Sequence, residues 1–168
     1  QMLMRTPDRA GPLLDYTRAV MRGASAFTPA ERELIFAYGS YLNSCRYCYG
    51  MHQVVAEALG IDSDLFGEIV EDIGTSRVDE KMKPVLRLVE KLTLTPNRVV
   101  QADADAIFAA GWDEDSYVDA VSVCALHNFM NRMVDGTGVM LDDDALHQGG
   151  LRIAKSNYDP PPAPPTDQ

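Results

Sequence analysis

No apolar run of 18 residues or more occurs in the sequence, so nothing in it reads as a membrane-spanning helix. A charged-then-apolar opening of the secretory type is also missing, and the expected compartment is the cytoplasm. Basic residues are scarce. The 15 Lys and Arg stand against 25 Asp and Glu, and the formal charge of -10 opposes nucleic acid or anionic lipid as a general partner. Strict alternation of apolar and polar residues persists nowhere, which removes the usual signature of a half-buried strand. Cysteine is nearly absent too: three in 168 residues cannot form a disulfide scaffold, and a chain of this length buries enough core to fold without a disulfide or a metal. Stability alone does not explain them. Two of the three form a CxxC pair, Cys45 and Cys48, which in a reducing compartment points to catalysis or metal binding.

What is present is helical periodicity. Apolar residues recur at three- and four-residue spacing, and the expectation is an all-α domain over residues 1–158 with an extended or disordered proline-rich tail at 159–168. Residues 10–23 read as a first helix. Thr28-Pro29-Ala30-Glu31 reads as a capping box opening a second helix that runs to about Leu42. Asn43 or Ser44 can cap a third, carrying Cys45 to Leu59 and closing at Gly60 and Ile61, so that residues 28–60 form an αα-hairpin. Further helices are expected at 63–72, at 80–92 with the stripe Met82, Val85, Val89 and Leu92, and at 103–110. A long helix capped by Asp113 should then carry Val118, Val121, Ala125, Phe129 and Met133 along one side and stop at Asp135-Gly136. The acidic run Asp142-Asp143-Asp144 reads as a cap or a solvated face.

Residues three and four apart on a helix share a face, so Cys45, Cys48 and His52 fall in one line over about two turns. Glu33 precedes the bend by roughly 15 Å of helix and His52 follows it by roughly 12 Å, so an antiparallel hairpin brings them level. Glu33 can then orient His52, and His52 can take a proton from Cys48 directly or through water. Lowering a thiol pKa from about 8.5 to about 6.5 raises the thiolate fraction at pH 7 roughly 25-fold, but the accompanying loss of nucleophilicity leaves only about threefold. Cleaving a peroxide also requires protonation of the leaving oxygen, a contribution of about 10² to 10⁴ that a second thiol or an imidazolium can supply. Which cysteine attacks stays open at this level. The helix N-terminus favours thiolate at Cys45, and the histidine spacing favours Cys48.

The string Glu33, eleven residues, Cys45-Arg46-Tyr47-Cys48, three residues, His52 resembles the signature of the alkylhydroperoxidase D family, within the carboxymuconolactone decarboxylase superfamily. The later string Asn128-Phe129-Met130-Asn131-Arg132-Met133-Val134-Asp135-Gly136 is similar to the peroxidase-related branch of that family. The resemblance implies an all-α fold assembled as trimers or hexamers, with hydrogen peroxide or organic hydroperoxides reduced through a disulfide that a dithiol partner protein regenerates. It also implies Cys48 as the peroxidatic cysteine, Cys45 as proton donor and resolving thiol, and Glu33 with His52 as the proton relay. No cofactor and no resident metal is expected. Tyr47 stands where alkylhydroperoxidase D has a histidine, so equal activity or the same reductant does not follow. The paired cysteines also separate this sequence from the lactone decarboxylases of the superfamily.

Two other classes compete. A disulfide oxidoreductase that exchanges only with protein thiols would use the same pair, and a zinc-binding or structural domain could use Cys45, Cys48, His52 and Glu33 as ligands, although zinc pairs usually sit on turns rather than inside a helix. Cys124 reads as a small buried hydrophobe, His127 as an interior or interface histidine, and His147 as solvated. Tyr38, Tyr41, Tyr47 and Tyr49 crowd the hairpin bend, where they can line an organic-peroxide pocket or an oligomer interface.

Overall fold

The computed structural model describes residues 6–159, and the proline-rich tail beyond Asp159 lies outside them. Every regular element among the described residues is helical: α1 (Pro7–Arg22), α2 (Pro29–Leu42), α3 (Arg46–Ala58), α4 (Leu65–Glu71), α5 (Met82–Leu94), a 3-10 turn (Pro96–Arg98), α6 (Gln101–Ala109), α7 (Glu114–Thr137) and α8 (Asp143–Ser156). None of these helices is long and apolar enough to cross a membrane.

Helix α2 is the centre of the fold. The capping box forms as expected: Glu31 N–H donates to Thr28 Oγ1 at 3.2 Å, and Thr28 N–H donates to the Glu31 carboxylate at 2.7 Å. All residues from Arg32 to Ser40 are buried, so the helix is enclosed on every side rather than along one stripe. Helices α3, α5, α7 and α1 pack around it. A charged residue in such a helix must find its partners inside the protein. Arg32 does so by donating to the carbonyls of Val20 and Gly23, both at 3.0 Å, at the end of α1.

The bend between α2 and α3 differs from the expected one. Asn43 closes α2, Ser44 takes a left-handed conformation at φ 58, and Cys45 N–H returns to Ser40 O at 3.0 Å. This is the Schellman stop that glycine usually makes, and placing a serine there costs about 1–2 kcal/mol. Its consequence is that Cys45 itself, rather than Asn43 or Ser44, occupies the N-cap of α3. The far end of α3 closes as expected, with Gly60 at φ 106 and Ile61 N–H bonded to Ala56 O at 3.0 Å.

Helix α7 starts at its expected cap, Asp113 Oδ1 accepting from Ser116 N–H at 2.8 Å, but it turns the other way. Its buried face carries Ala120, Val123, Cys124, His127, Asn131 and Val134, while Val118 is 58% exposed and Phe129 47% exposed. Apolarity selected the wrong side because α2 is matched from α7 by small and polar groups. Helix α8 was not foreseen. Asp142 caps it by accepting from Ala145 N–H at 2.8 Å, and it lies against α3. The approach is close enough that a Cβ on Gly150 would stand 2.7 Å from Val54 Cβ and 2.9 Å from Met51 O, so only glycine fits there. Packing α8 on α3 returns the C-terminal end of the described chain to the hairpin.

Candidate active site

The hairpin brings Glu33 and His52 together as the helix geometry requires. His52 Nδ1 lies 2.6 Å from Glu33 Oε2, with the carboxylate fully buried and the imidazole nearly so. Phe36, one turn beyond Glu33 on α2, stacks on the imidazole with ring centroids 3.6 Å apart. The ring is therefore fixed by a hydrogen bond at its edge and an aromatic plane on its face.

Two residues at this carboxylate were not identified from sequence. Arg22 Nη2 lies 2.6 Å from Glu33 Oε1, and the Tyr158 hydroxyl donates to the same oxygen at 2.9 Å. Burial would raise the Glu33 pKa, but the charge and hydrogen bond of His52, followed by those of Arg22, outweigh it and hold the carboxyl below its ordinary value. Glu33 is thus an acceptor, and His52 Nδ1 donates the short bond to it, which leaves Nε2 outside that bond. A basic residue in the last turn of α1 gave no sequence signal of this role, because helix C-termini favour such residues for their own sake.

The two thiols sit at the N-terminal end of α3, ahead of His52. Cys45 and Cys48 are free and buried, at the N-cap and in the first turn of α3. The Cys45 thiol donates to the Cys48 sulfur, which raises the pKa of Cys45 and lowers that of Cys48; burial adds to the first effect and opposes the second. The Asn131 side chain on α7 also donates to Cys48 and lowers it further, against the charge of Asp135. The hydrogen bond between the two thiols favours the thiolate at Cys48 and the thiol at Cys45. Cys45 and Asn131 carry the lowering at Cys48, so the imidazole is not the main stabiliser of a thiolate there.

Asn131 is held in place by its own bonds. Its amide donates to Ser40 Oγ at 2.9 Å, and its carbonyl oxygen accepts from Asn43 Nδ2 at 2.8 Å. Asn43 also reaches Asn128 Oδ1 at 3.1 Å, so the two asparagines one turn apart on α7 tie down the hairpin bend. Polar residues at three-residue spacing inside an apolar helix were the available signal.

The remaining candidates fall outside this cluster. Burial raises the Tyr47 phenol pKa, so it stays protonated and is no substitute for a histidine base. Tyr41 and Tyr49 pack with Phe66 of α4, Tyr49 and Phe66 being stacked at 6.0 Å. His127 is an interior residue whose pKa burial pushes down to about 3, and Phe36 lies edge-on between it and His52. Cys124 is buried with Thr93 Oγ1 at 3.6 Å, and burial raises its pKa. His147 is exposed and lines a shallow cleft of about 400 Å³ between α3 and α8 to which neither CxxC cysteine contributes. No group of three or more His, Cys, Asp or Glu among the described residues is arranged to hold a metal ion.

No family model and no curated protein matches the sequence. Solved structures share its architecture, among them the following two. An uncharacterized peroxidase-related protein from Silicibacter sp. TM1040 is 22% identical, with a TM-score of 0.78 over 86% of this chain and 75% of its own. An alkylhydroperoxidase AhpD core, an uncharacterized peroxidase-related protein from Ralstonia eutropha JMP134, is also 22% identical, with a TM-score of 0.80 over 88% of this chain and 77% of its own. The chain has the alkylhydroperoxidase AhpD-core fold, in agreement with the resemblance read from residues 28–60 and 128–136.

Proposed function

We propose that the protein is a thiol-dependent peroxidase that reduces hydrogen peroxide or organic hydroperoxides through Cys48 and Cys45. The observation that carries this reading is a pair of free, buried thiols at the start of α3, the helix whose His52 is hydrogen-bonded to Glu33. Cys48 is lowered by the donor beside it, and Cys45 keeps the proton that the leaving oxygen needs. In the first step the Cys48 thiolate attacks one peroxide oxygen; the S–O bond forms as the O–O bond breaks, leaving a sulfenic acid on Cys48. The departing alkoxide or hydroxide takes a proton from Cys45 or from His52 Nε2, which Glu33 keeps oriented. In the second step the Cys45 sulfur attacks the sulfenic sulfur, water leaves, and a disulfide remains. An external dithiol returns the two electrons and two protons.

The burial of both sulfurs suits a small hydroperoxide in the oxidative step. The zinc alternative has no arranged ligand set behind it among the described residues. A reducing compartment such as the cytoplasm suits a resting dithiol. Assembly into a homo-oligomer, a trimer or hexamer, would cover the exposed Val118 and Phe129 of α7.

The test is one equivalent of hydroperoxide added to the reduced protein. Two thiols should be lost, and Cys45→Ser should stop at a sulfenic acid on Cys48. Sulfenic acid on Cys45 in Cys48→Ser would overturn the assignment of the nucleophile. Thiols that ignore peroxide while exchanging rapidly with protein disulfides would replace the peroxidase with the oxidoreductase, and stoichiometric zinc would replace both.

A further inference from the structure

The chain leaves α8 through two consecutive residues in the left-handed region, Asn157 at φ 50 and Tyr158 at φ 65. Asparagine tolerates this conformation as a helix stop, and Asn157 N–H closes α8 on Ile153 O at 3.0 Å. A tyrosine does not tolerate it easily, and it persists only where the surroundings hold it. Three contacts from α1 do so. Arg22 Nε donates to Asn157 Oδ1 at 3.2 Å, the Arg22 guanidinium lies over the Tyr158 ring at 4.8 Å, and Arg18 Nε pairs with Asp159 Oδ1 at 3.2 Å. A helix stop alone needs none of these. Their joint result is to deliver the Tyr158 hydroxyl to Glu33 Oε1, 3.4 Å from His52 Nδ1.

We propose that Tyr158 and Arg22 are positioning residues of the proton relay, which saturate Glu33 Oε1 so that Oε2 alone is presented to His52 Nδ1. A carboxylate with one hydrogen-bonded oxygen can turn and offer either oxygen to the imidazole. With a phenol and a guanidinium on Oε1 it cannot, and the ring direction that leaves Nε2 free is fixed with it. Arg22 also balances the carboxylate charge, so the Glu33 anion has a cationic partner of its own. The consequence for rate rests on the peroxidase reading; the consequence for hydrogen-bond geometry does not.

Tyr158→Phe removes one oxygen and leaves the ring under Arg22, so it separates the bond from the packing. The readouts are the downfield proton resonance of His52 Nδ1–H, assigned by its loss in His52→Gln, and the rate of thiol loss after one equivalent of hydrogen peroxide. The expected result is a resonance that moves or broadens through solvent exchange, with thiol oxidation about tenfold slower. An unmoved resonance in a folded Tyr158→Phe protein overturns the proposal, even if the wild type consumes peroxide. A resonance that moves while the wild type ignores peroxide upholds the positioning role and discards the peroxidase. Arg22→Lys gives a second measure: it keeps the charge and loses the fork, so it should also disturb the resonance, and an undisturbed signal there removes Arg22 from the proposal.

Discussion

Glu33 and His52 stand 19 residues apart in the chain and 2.6 Å apart in space, and the carboxylate joining them is held from its other side by Arg22 at 2.6 Å. One buried carboxylate therefore serves an imidazole and a guanidinium that come from different helices. This triangle links the stability of the fold to the chemistry proposed for it.

Glu33→Gln should fail on both counts. Loss of the oriented imidazole is expected to slow thiol oxidation by about 10² or more. Read from the hairpin alone, the same change should cost little folding stability. With Arg22 left buried and unpaired it should instead cost about 3–5 kcal/mol. Urea midpoints would show this, and adding Arg22→Gln should recover part of the loss. An unchanged midpoint would mean that Arg22 finds water when its partner goes.

The Cys48 thiol should lose its low pKa when its donors are removed. Cys45→Ala deletes the larger of the two and Asn131→Ala the smaller. The pH midpoint for alkylation of Cys48 by iodoacetamide is expected to move upward in both, further in Cys45→Ala. Equal midpoints in all three proteins would show that the helix N-terminus alone sets the thiolate.

Two glycine substitutions should have opposite signs. A Cβ on Gly39 would lie 2.0 Å from His127 Nε2, so Gly39→Ala must displace a buried ring and should cost about 1–3 kcal/mol or more. Gly136, within α7, has nothing within 4 Å of the same position. Gly136→Ala should stabilise by about 0.5–1 kcal/mol through helix propensity. Thermal unfolding of both variants tests the close approach of α2 and α7.

Acid should weaken the fold through His127. Its folded pKa is depressed to about 3, against about 6.5 when unfolded, so between these values the unfolded chain binds a proton that the folded chain refuses. The stability contribution is complete above pH 6.5 and is lost as pH falls towards 3, at up to about 1.4 kcal/mol per pH unit. Glu33, also held below its ordinary pKa, adds a loss of the same sign below the usual carboxylate range. His127→Gln should flatten the upper part of the profile, between pH 6.5 and 5. Denaturant midpoints at several pH values measure it, and an unaltered slope would move the effect to other groups.

Local patterns were enough for much of this. The capping box at Thr28 and the Asp113 cap depend on residues within one turn, and both form as the sequence indicates. The meeting of Glu33 and His52 followed from helical rise and one short bend. The inward face of α7 did not follow, because the neighbour it matches, α2, demands small and polar partners. The role of Arg22 was equally hidden, since a helix-terminal arginine has a local explanation of its own.

The sequence by itself determined the helices up to α7, the hairpin and the meeting of Glu33 with His52, since these depend on spacings of a few residues along the backbone and one short bend. Tertiary packing alone decided that Asn131 reaches Cys48 from α7, and that Arg22 and Tyr158 close on Glu33 from the two ends of the described chain. The reason is one of range. A helix period places neighbours three and four residues apart, whereas a contact between Glu33 and Tyr158 spans 125 residues and exists only because α8 packs on α3.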